Sequence, residues 1–425
     1  MSREIKYDVL IIGGLGHVGL PLGIVMAEVG LQVALYDLDT AKRALVEAGR
    51  MPFLEHDAEP MLKRVLGKTL HLVDSLAAAR QSEVALITIG TPIDEYMNPN
   101  TRPLMDLAKE LAPHLRRDQC VVLRSTVAPG TSHYLQQLLV SLGCHIDLAY
   151  CPERIVQGYA IRELKQLPQI ISGYTDRAEA TAEHLFTRLG VEVIRVSLEE
   201  AELVKLFSNA WRYTQFAVSN QFYMLAKERG ADFDRIHHAM THNYSRARDF
   251  PRPGFAAGPC LLKDTLQLTA GFGGRFHLGL TTMTINEGLP NFLVEMIKRD
   301  LQVDLAGKHI GILGMSFKAD TDDIRDSLSY KLAKILRFQG AEVVCSDEYV
   351  QDPSFVSKED ILTKCSIVII GVPHRAYQGL KALPNTYVVD LWGVIGGISR
   401  NRNDTKSIPV RIGSGAATTQ TRNQP

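Results

Sequence analysis

The chain has 425 residues, and its 47 Lys plus Arg equal its 47 Asp plus Glu, for a formal net charge of zero. That balance argues against nucleic acid or a membrane surface as a partner gathered by bulk charge, and no apolar run approaches the roughly 20 residues of a membrane span. The length suggests two or three domains. The six cysteines show no CxxC pair or disulfide-like spacing, so they read as reduced thiols of a cytoplasmic protein.

The amino terminus has no signal-peptide h-region and runs straight into a strand. Tyr7 to Ile12 is a continuous apolar run, the pattern of a strand buried on both faces of a parallel sheet. GLGHVG follows at 14–19, then a helical stretch from about His17 to Val29, stopped by Gly30. A second strand, Gln32 to Tyr36, ends at Asp37. Strand, GxGxxG, helix, strand and acid in this order form a dinucleotide signature. Gly14, Gly16 and Gly19, with His17 and Val18 between them, let a pyrophosphate approach the helix N-terminus. Asp37 can hold ribose hydroxyls and would repel a 2′-phosphate, so the cofactor expected is NAD. A tight strand-to-helix turn without ligand is the competing reading.

Strand-like runs recur at Val84–Ile89, Val121–Leu123 and His145–Leu148. Each is followed by polar or turn residues: Gly90-Thr91-Pro92, Ser125-Thr126 and Pro152-Glu153-Arg154. Ligands of open α/β sheets bind outside such strand ends. Glu153 stands as either a base or a surface salt-bridge partner. From Leu198 to Gly230 the pattern turns helical and long. Lys205 and Asn209 lie four apart, on one face, which is either solvated or turned into a site as a pair of oxyanion donors. Asp232 to His242 reads as another helix, and its adjacent His237 and His238 do not share a face, so no metal is expected.

Pro253 to Asp264, PGFAAGPCLLKD, puts Cys260 after a turn of small residues, with Lys263 and Asp264 within about one helical turn. A thiol beside a carboxylate and an ammonium can do covalent chemistry, whereas a cysteine is often only a small buried hydrophobe. The chain from Asp264 to Gly288 reads as helical, with a break at GFGGRF. A second α/β alternation begins near Lys308, with strands at His309–Leu313, Glu342–Cys345, Ile367–Ile370 and Tyr387–Asp390. The tail from about Asn401 is polar and reads as disordered.

Seven motifs now stand in order: GLGHVGLPLG, GTP at 90–92, STVAPGT at 125–131, CPERI at 151–155, AELVKLFSNA at 201–210, GPCLLKD at 258–264 and GMSFKADTDDIRDSLS at 314–329. Over roughly residues 5 to 395 the chain resembles the nucleotide-sugar 6-dehydrogenases of the UDP-glucose/UDP-N-acetylmannosamine dehydrogenase family. The resemblance implies an α/β fold of two Rossmann-like doubly wound domains joined by a long central helical segment that makes a homodimer. The implied divisions are 1–197, 198–300 and 301–400, with 401–425 as the tail.

The implied reaction is a four-electron oxidation of a sugar C6 alcohol to a carboxylate, using two NAD⁺. By position, Cys260 resembles the nucleophile, and Lys205 and Asn209 the pair that stabilises oxyanions. Glu153, Asp264 and Thr126 resemble the groups that handle protons and water. Lys263 and Arg325, with Thr91, resemble cofactor contacts, and Lys318 a residue at the domain junction. The region Gly254 to Gly258 resembles the loop over the sugar, and Arg248 an arginine supplied by a neighbouring subunit. Where the family's usual turn is GFGG or GVGG, this chain has GFAAGP, stiffened by Pro259. CPERI and VPHRAY (372–377) resemble the N-acetylhexosamine branch, which points to a UDP-linked substrate of that kind. UDP-glucose or TDP-glucose is the alternative. A two-electron 3-hydroxyacid dehydrogenase would need neither Cys260 nor the second domain, and a non-catalytic NAD-binding module would not need the polar residues.

Overall fold

The computed structural model describes residues 5–395, so the tail expected at 401–425 lies outside the described residues. The first sheet consists of β1 Tyr7–Ile12, β2 Val33–Tyr36, β3 Leu70–Leu72, β4 Ser82–Ile87, β5 Cys120–Leu123 and β6 Asp147–Tyr150. Its strands are all parallel, in the order β3-β2-β1-β4-β5-β6. The chain reverses its winding between β1 and β4, which opens the crevice where ligands bind in such sheets. The last strand sits two residues later than the apolar pattern predicts. It opens on a polar residue: Asp147 accepts from Thr175 Oγ1 at 2.9 Å and pairs with Arg177. β7 Gln169–Ile171 and β8 Val193–Arg195 form a separate parallel ribbon. Like β3, they have three residues each and are too short to carry a legible period.

The central helix, Leu198–Glu228, begins at a capping box in which Ser197 and Glu200 satisfy each other's backbone N–H groups. It packs against two helices, Leu261–Gly271 and His277–Leu301. The break between these two falls where GFGGRF predicts it. The end does not: the second helix runs past Gly288, through Pro290, to Leu301. Pro290 removes one helical hydrogen bond, and burial of Leu289, Leu293, Val294, Met296 and Ile297 offsets that loss.

The carboxyl-terminal sheet consists of β9 His309–Leu313, β10 Glu342–Ser346, β11 Ile367–Ile370 and β12 Tyr387–Asp390, parallel in the order β10-β9-β11-β12. It opens like the first sheet. After β2, Asp37 accepts the N–H of Leu15 at 2.9 Å. After β10, Asp347 accepts those of Met315 at 2.6 Å and Ser316 at 3.0 Å. Asp347 differs in being sealed, because its carboxylate and the His374 ring are both wholly buried and lie 3.0 Å apart. His374 Nδ1 accepts the Asp320 N–H at 2.9 Å, so Nε2 carries the proton and donates to Asp347.

The two α/β domains meet along Ser316–Asp326. The Leu54 N–H donates to Asp322 Oδ2 at 3.0 Å, Lys318 Nζ donates to the Gln157 carbonyl, and Arg375 donates to the Tyr159 hydroxyl at 3.2 Å. Glu55 lies beside this seam. Burial pushes its carboxyl up to about 7, against the opposite pull of the Gly158, Ile161 and Ala160 N–H groups. Burial also brings Lys318 down to about 8. A carboxyl raised on folding contributes stability at low pH that is lost as pH climbs from its unfolded value through its folded one. Glu55→Gln should therefore melt close to the parent at about pH 4.5 and progressively above it as pH rises through about 7. A melting-temperature difference that stays constant across this range would show that Glu55 does not titrate there.

Candidate active site

The Gly loop follows β1 and leads into the helix Gly19–Glu28, whose N-terminus no side chain caps. A Cβ on Gly16 would meet only the Gly13 carbonyl oxygen, at 3.4 Å, so the space above the loop is open. Asp37 fastens the loop through Leu15 and also accepts the Asp39 N–H at 3.0 Å. Open glycine surface, uncapped helix N–H groups and an acid at the end of β2 fit the pyrophosphate and ribose of NAD. Thr91 donates from Oγ1 to the Thr126 carbonyl, which joins the loops after β4 and β5.

His17 lies against Phe53 with ring centroids 4.0 Å apart and planes tilted by 32°. Burial, then the Arg325 guanidinium, hold its imidazole down at about 4, so it is neutral at physiological pH. Its Nε2 lies 4.0 Å from Asp323, which is itself clasped by Arg325 through contacts of 2.5 and 2.9 Å. The carboxyl-terminal domain thus reaches the cofactor loop.

Cys260 is the N-cap residue of the helix Leu261–Gly271. Cys260 is exposed as a residue, while protein encloses most of the surroundings of its thiol. That enclosure, then Asp264, push the thiol up, while Lys205, Lys263 and Arg325 pull it down. Asp264 is buried. Asn209 Nδ2 donates to its Oδ2 at 2.5 Å, and Lys263 Nζ lies 2.6 Å from Oδ1, off the hydrogen-bonding direction. Asn209 is therefore committed to Asp264 through one of its two N–H groups. Lys205 is 9% exposed, and no carboxylate pairs with it among the described residues. The face carrying Lys205 and Asn209 is turned inward, not solvated.

The turn before Cys260 packs on the carboxyl-terminal domain through missing side chains. A Cβ on Gly254 would lie 2.1 Å from the Trp392 ring, and one on Gly258 (φ +100°) 2.4 Å from Phe317. Asn220 holds Gly254 from the other side, donating to its carbonyl at 3.1 Å and accepting its N–H at 2.8 Å. Lys318 stands on the seam, and Arg248 is exposed beside Asp249, apart from the cysteine cluster.

Glu153 is neither free nor on the surface. It is 6% exposed and ion-paired with Arg124, a residue the sequence reading did not single out. The only signal was a charged residue closing the apolar run of β5. Removing one partner of such a buried pair costs about 3–5 kcal/mol, because the other charge is left uncompensated. Gln267 was missed as well. It lies on the cysteine helix and donates to the Thr91 carbonyl at 3.3 Å, which ties that helix to the cofactor loops.

Residues 8–190 match the NAD binding domain of the UDP-glucose/GDP-mannose dehydrogenase family, 199–287 its central domain and 311–397 its UDP binding domain. A UDP-N-acetyl-D-mannosamine dehydrogenase of Pyrococcus horikoshii is 29% identical over 381 residues, 87% of this chain and 90% of that protein. A GDP-mannose 6-dehydrogenase of Pseudomonas putida is 29% identical over 361 residues, 80% of this chain and 81% of that protein. The solved structure of a UDP-glucose dehydrogenase from Pyrobaculum islandicum matches with a TM-score of 0.85 at 26% identity, covering 93% of this chain and 96% of that one. With its cofactor-binding, central and nucleotide-binding domains all accounted for, the chain belongs to the UDP-glucose/GDP-mannose dehydrogenase family and is an NAD-dependent nucleotide-sugar dehydrogenase.

Proposed function

We propose that the protein oxidises the C6 primary alcohol of a UDP-linked N-acetylhexosamine to the uronic acid, through a thiohemiacetal and a thioester on Cys260. The observation that carries this reading is the exposed cysteine at a helix N-terminus, its thiol among Lys205, Lys263 and Arg325. When bound, the nicotinamide of NAD⁺ takes up a hydride, twice per sugar. Lys205 stabilises the anionic oxygen that develops at C6, and the second N–H of Asn209 is free to assist. Asp264 is held by Asn209 and Lys263 one helical turn from the thiol. Thr126 and Glu153 orient water at the strand ends. Lys263 and Arg325 face the cofactor, and the loop Gly254 to Gly258 closes over the sugar.

The choice of sugar is supported by CPERI and VPHRAY and by the Pyrococcus relative. The domain limits 1–197, 198–300 and 301–400 follow the central helix, and a cytoplasmic location fits six free cysteines.

A homodimer is supported by the central helix. Phe207, Trp211, Val218, Phe222 and Leu225 are all exposed and fall on one face at helical spacing. A second copy covering this stripe would bring Arg248 towards the partner's site. Trp211→Glu should shift the protein from dimer to monomer in light scattering. A wild-type protein that is monomeric at every concentration would refute the assembly.

A panel of UDP-, GDP- and TDP-sugars scored for NADH per sugar tests the reaction. Two NADH are expected, with UDP-N-acetylhexosamines ahead in kcat/KM, whereas one NADH per sugar would sink the thioester route. Cys260→Ala should make no uronate, any residual activity ending at the aldehyde. Lys205→Ala should lower kcat by on the order of 10²–10³ with little change in the sugar KM. It should also move alkylation of Cys260 by iodoacetamide to higher pH, because a cation that pulls the thiol down is gone. A raised KM with intact kcat would make Lys205 a binding residue instead.

A further inference from the structure

We propose that Arg124 is a positioning residue for product release, holding Glu153 so that its carboxylate presents one lone pair to the hydrolytic water. This rests on the reading of Cys260 as the acylated nucleophile. The Arg124 side chain is wholly buried at the end of β5, and its guanidinium lies 4.6 Å over the Phe186 ring. Nη1 donates to the Cys151 carbonyl at 3.1 Å, and Nη2 donates to Gln169 Oε1 at 2.8 Å and to Glu153 Oε2. One planar fork therefore ties its own strand to the loop after β6 and to β7. The next two residues are Ser125 and Thr126, so the Arg124–Glu153 pair ties Glu153 to the backbone two residues before Thr126.

Glu153 is correspondingly full. Oε1 accepts the N–H groups of Arg154 at 2.7 Å and Ile155 at 3.0 Å, while Oε2 faces Arg124. Glu153 is thus an acceptor already engaged on both oxygens, with a lone pair remaining on Oε2 and 8% of its side chain still exposed. A water that donates there can turn its own lone pair towards an acyl carbon. In that step a C–O bond forms and the C–S bond breaks. One water proton returns to sulfur, the other leaves with the carboxylic acid, and no electrons pass to the cofactor.

Arg124→Lys keeps the charge but loses the fork. Steady-state turnover should fall about 10²-fold, the typical effect of misplacing a reacting group by an ångström. The KM values for NAD⁺ and sugar should stay within a few fold. Rapid mixing should show a burst of two NADH per active site, and mass spectrometry an acyl adduct on Cys260. Gln169→Leu spares the ion pair and frees only one tip of the fork, so it should show the same burst with a smaller loss even if the Lys variant folds poorly. Slow turnover without burst or adduct, or unchanged turnover, overturns the role of Arg124 while wild type still yields two NADH per sugar. A wild type yielding one NADH overturns the thioester reading and this proposal together.

Discussion

Buried polar groups must find partners, and the central helix carries a line of them on one face. Glu202, Lys205, Asn209, Tyr213 and Asn220 are all buried there. The Glu202 carboxylate accepts the N–H groups of Gly130 at 2.6 Å and Ser132 at 2.9 Å, which pins the cofactor domain. Asn209 takes Asp264, Asn220 takes Gly254, and the Tyr213 carbonyl accepts from Asn286 at 3.0 Å. These hydrogen bonds from one helix face thus fix the relative positions of the cofactor loops, the cysteine helix and the turn before Cys260. Lys205, on the same face, is left with its charge uncommitted among the described residues.

What the sequence made legible was local. The Gly loop with Asp37 is a contiguous strand-turn-helix unit, and Cys260, Lys263 and Asp264 share one helical turn. The four-residue step from Lys205 to Asn209 needs only helix geometry. What stayed hidden was the pairing between distant segments. Arg124 and Glu153 are 29 residues apart, and Asn209 and Asp264 are 55 apart. No local pattern records which buried charge meets which. Glu153 therefore read equally well as a base or a surface group; the structure shows it buried and paired with Arg124. The helix through Pro290 is the same lesson for backbone: packing of its apolar face outweighs an unfavourable residue that a local reading treats as a stop.

The seam along Ser316–Asp326 brings the second domain to both halves of the site. Asp323 and Arg325 stand beside His17 of the cofactor loop, while Phe317 and Trp392 receive the glycines of the turn before Cys260. A group bound on either side therefore feels the same segment. Glu55 and Lys318 put two groups that titrate near neutrality, about 7 and about 8, into the wall of that seam.

Asp37 and Asp347 occupy equivalent places in two similar sheets, but only Asp37 is open. Asp347 is closed over by His374, so it is not free to meet a ribose as Asp37 is. Among the described residues, one dinucleotide berth of this kind is open. If the proposed four-electron oxidation runs through one berth, the cofactor has to be exchanged halfway, with a half-oxidised sugar still aboard. An aldehyde held only by weak contacts could diffuse away during that exchange. In the proposed thiohemiacetal, a bond from carbon to sulfur would keep it moored until the fresh cofactor arrives.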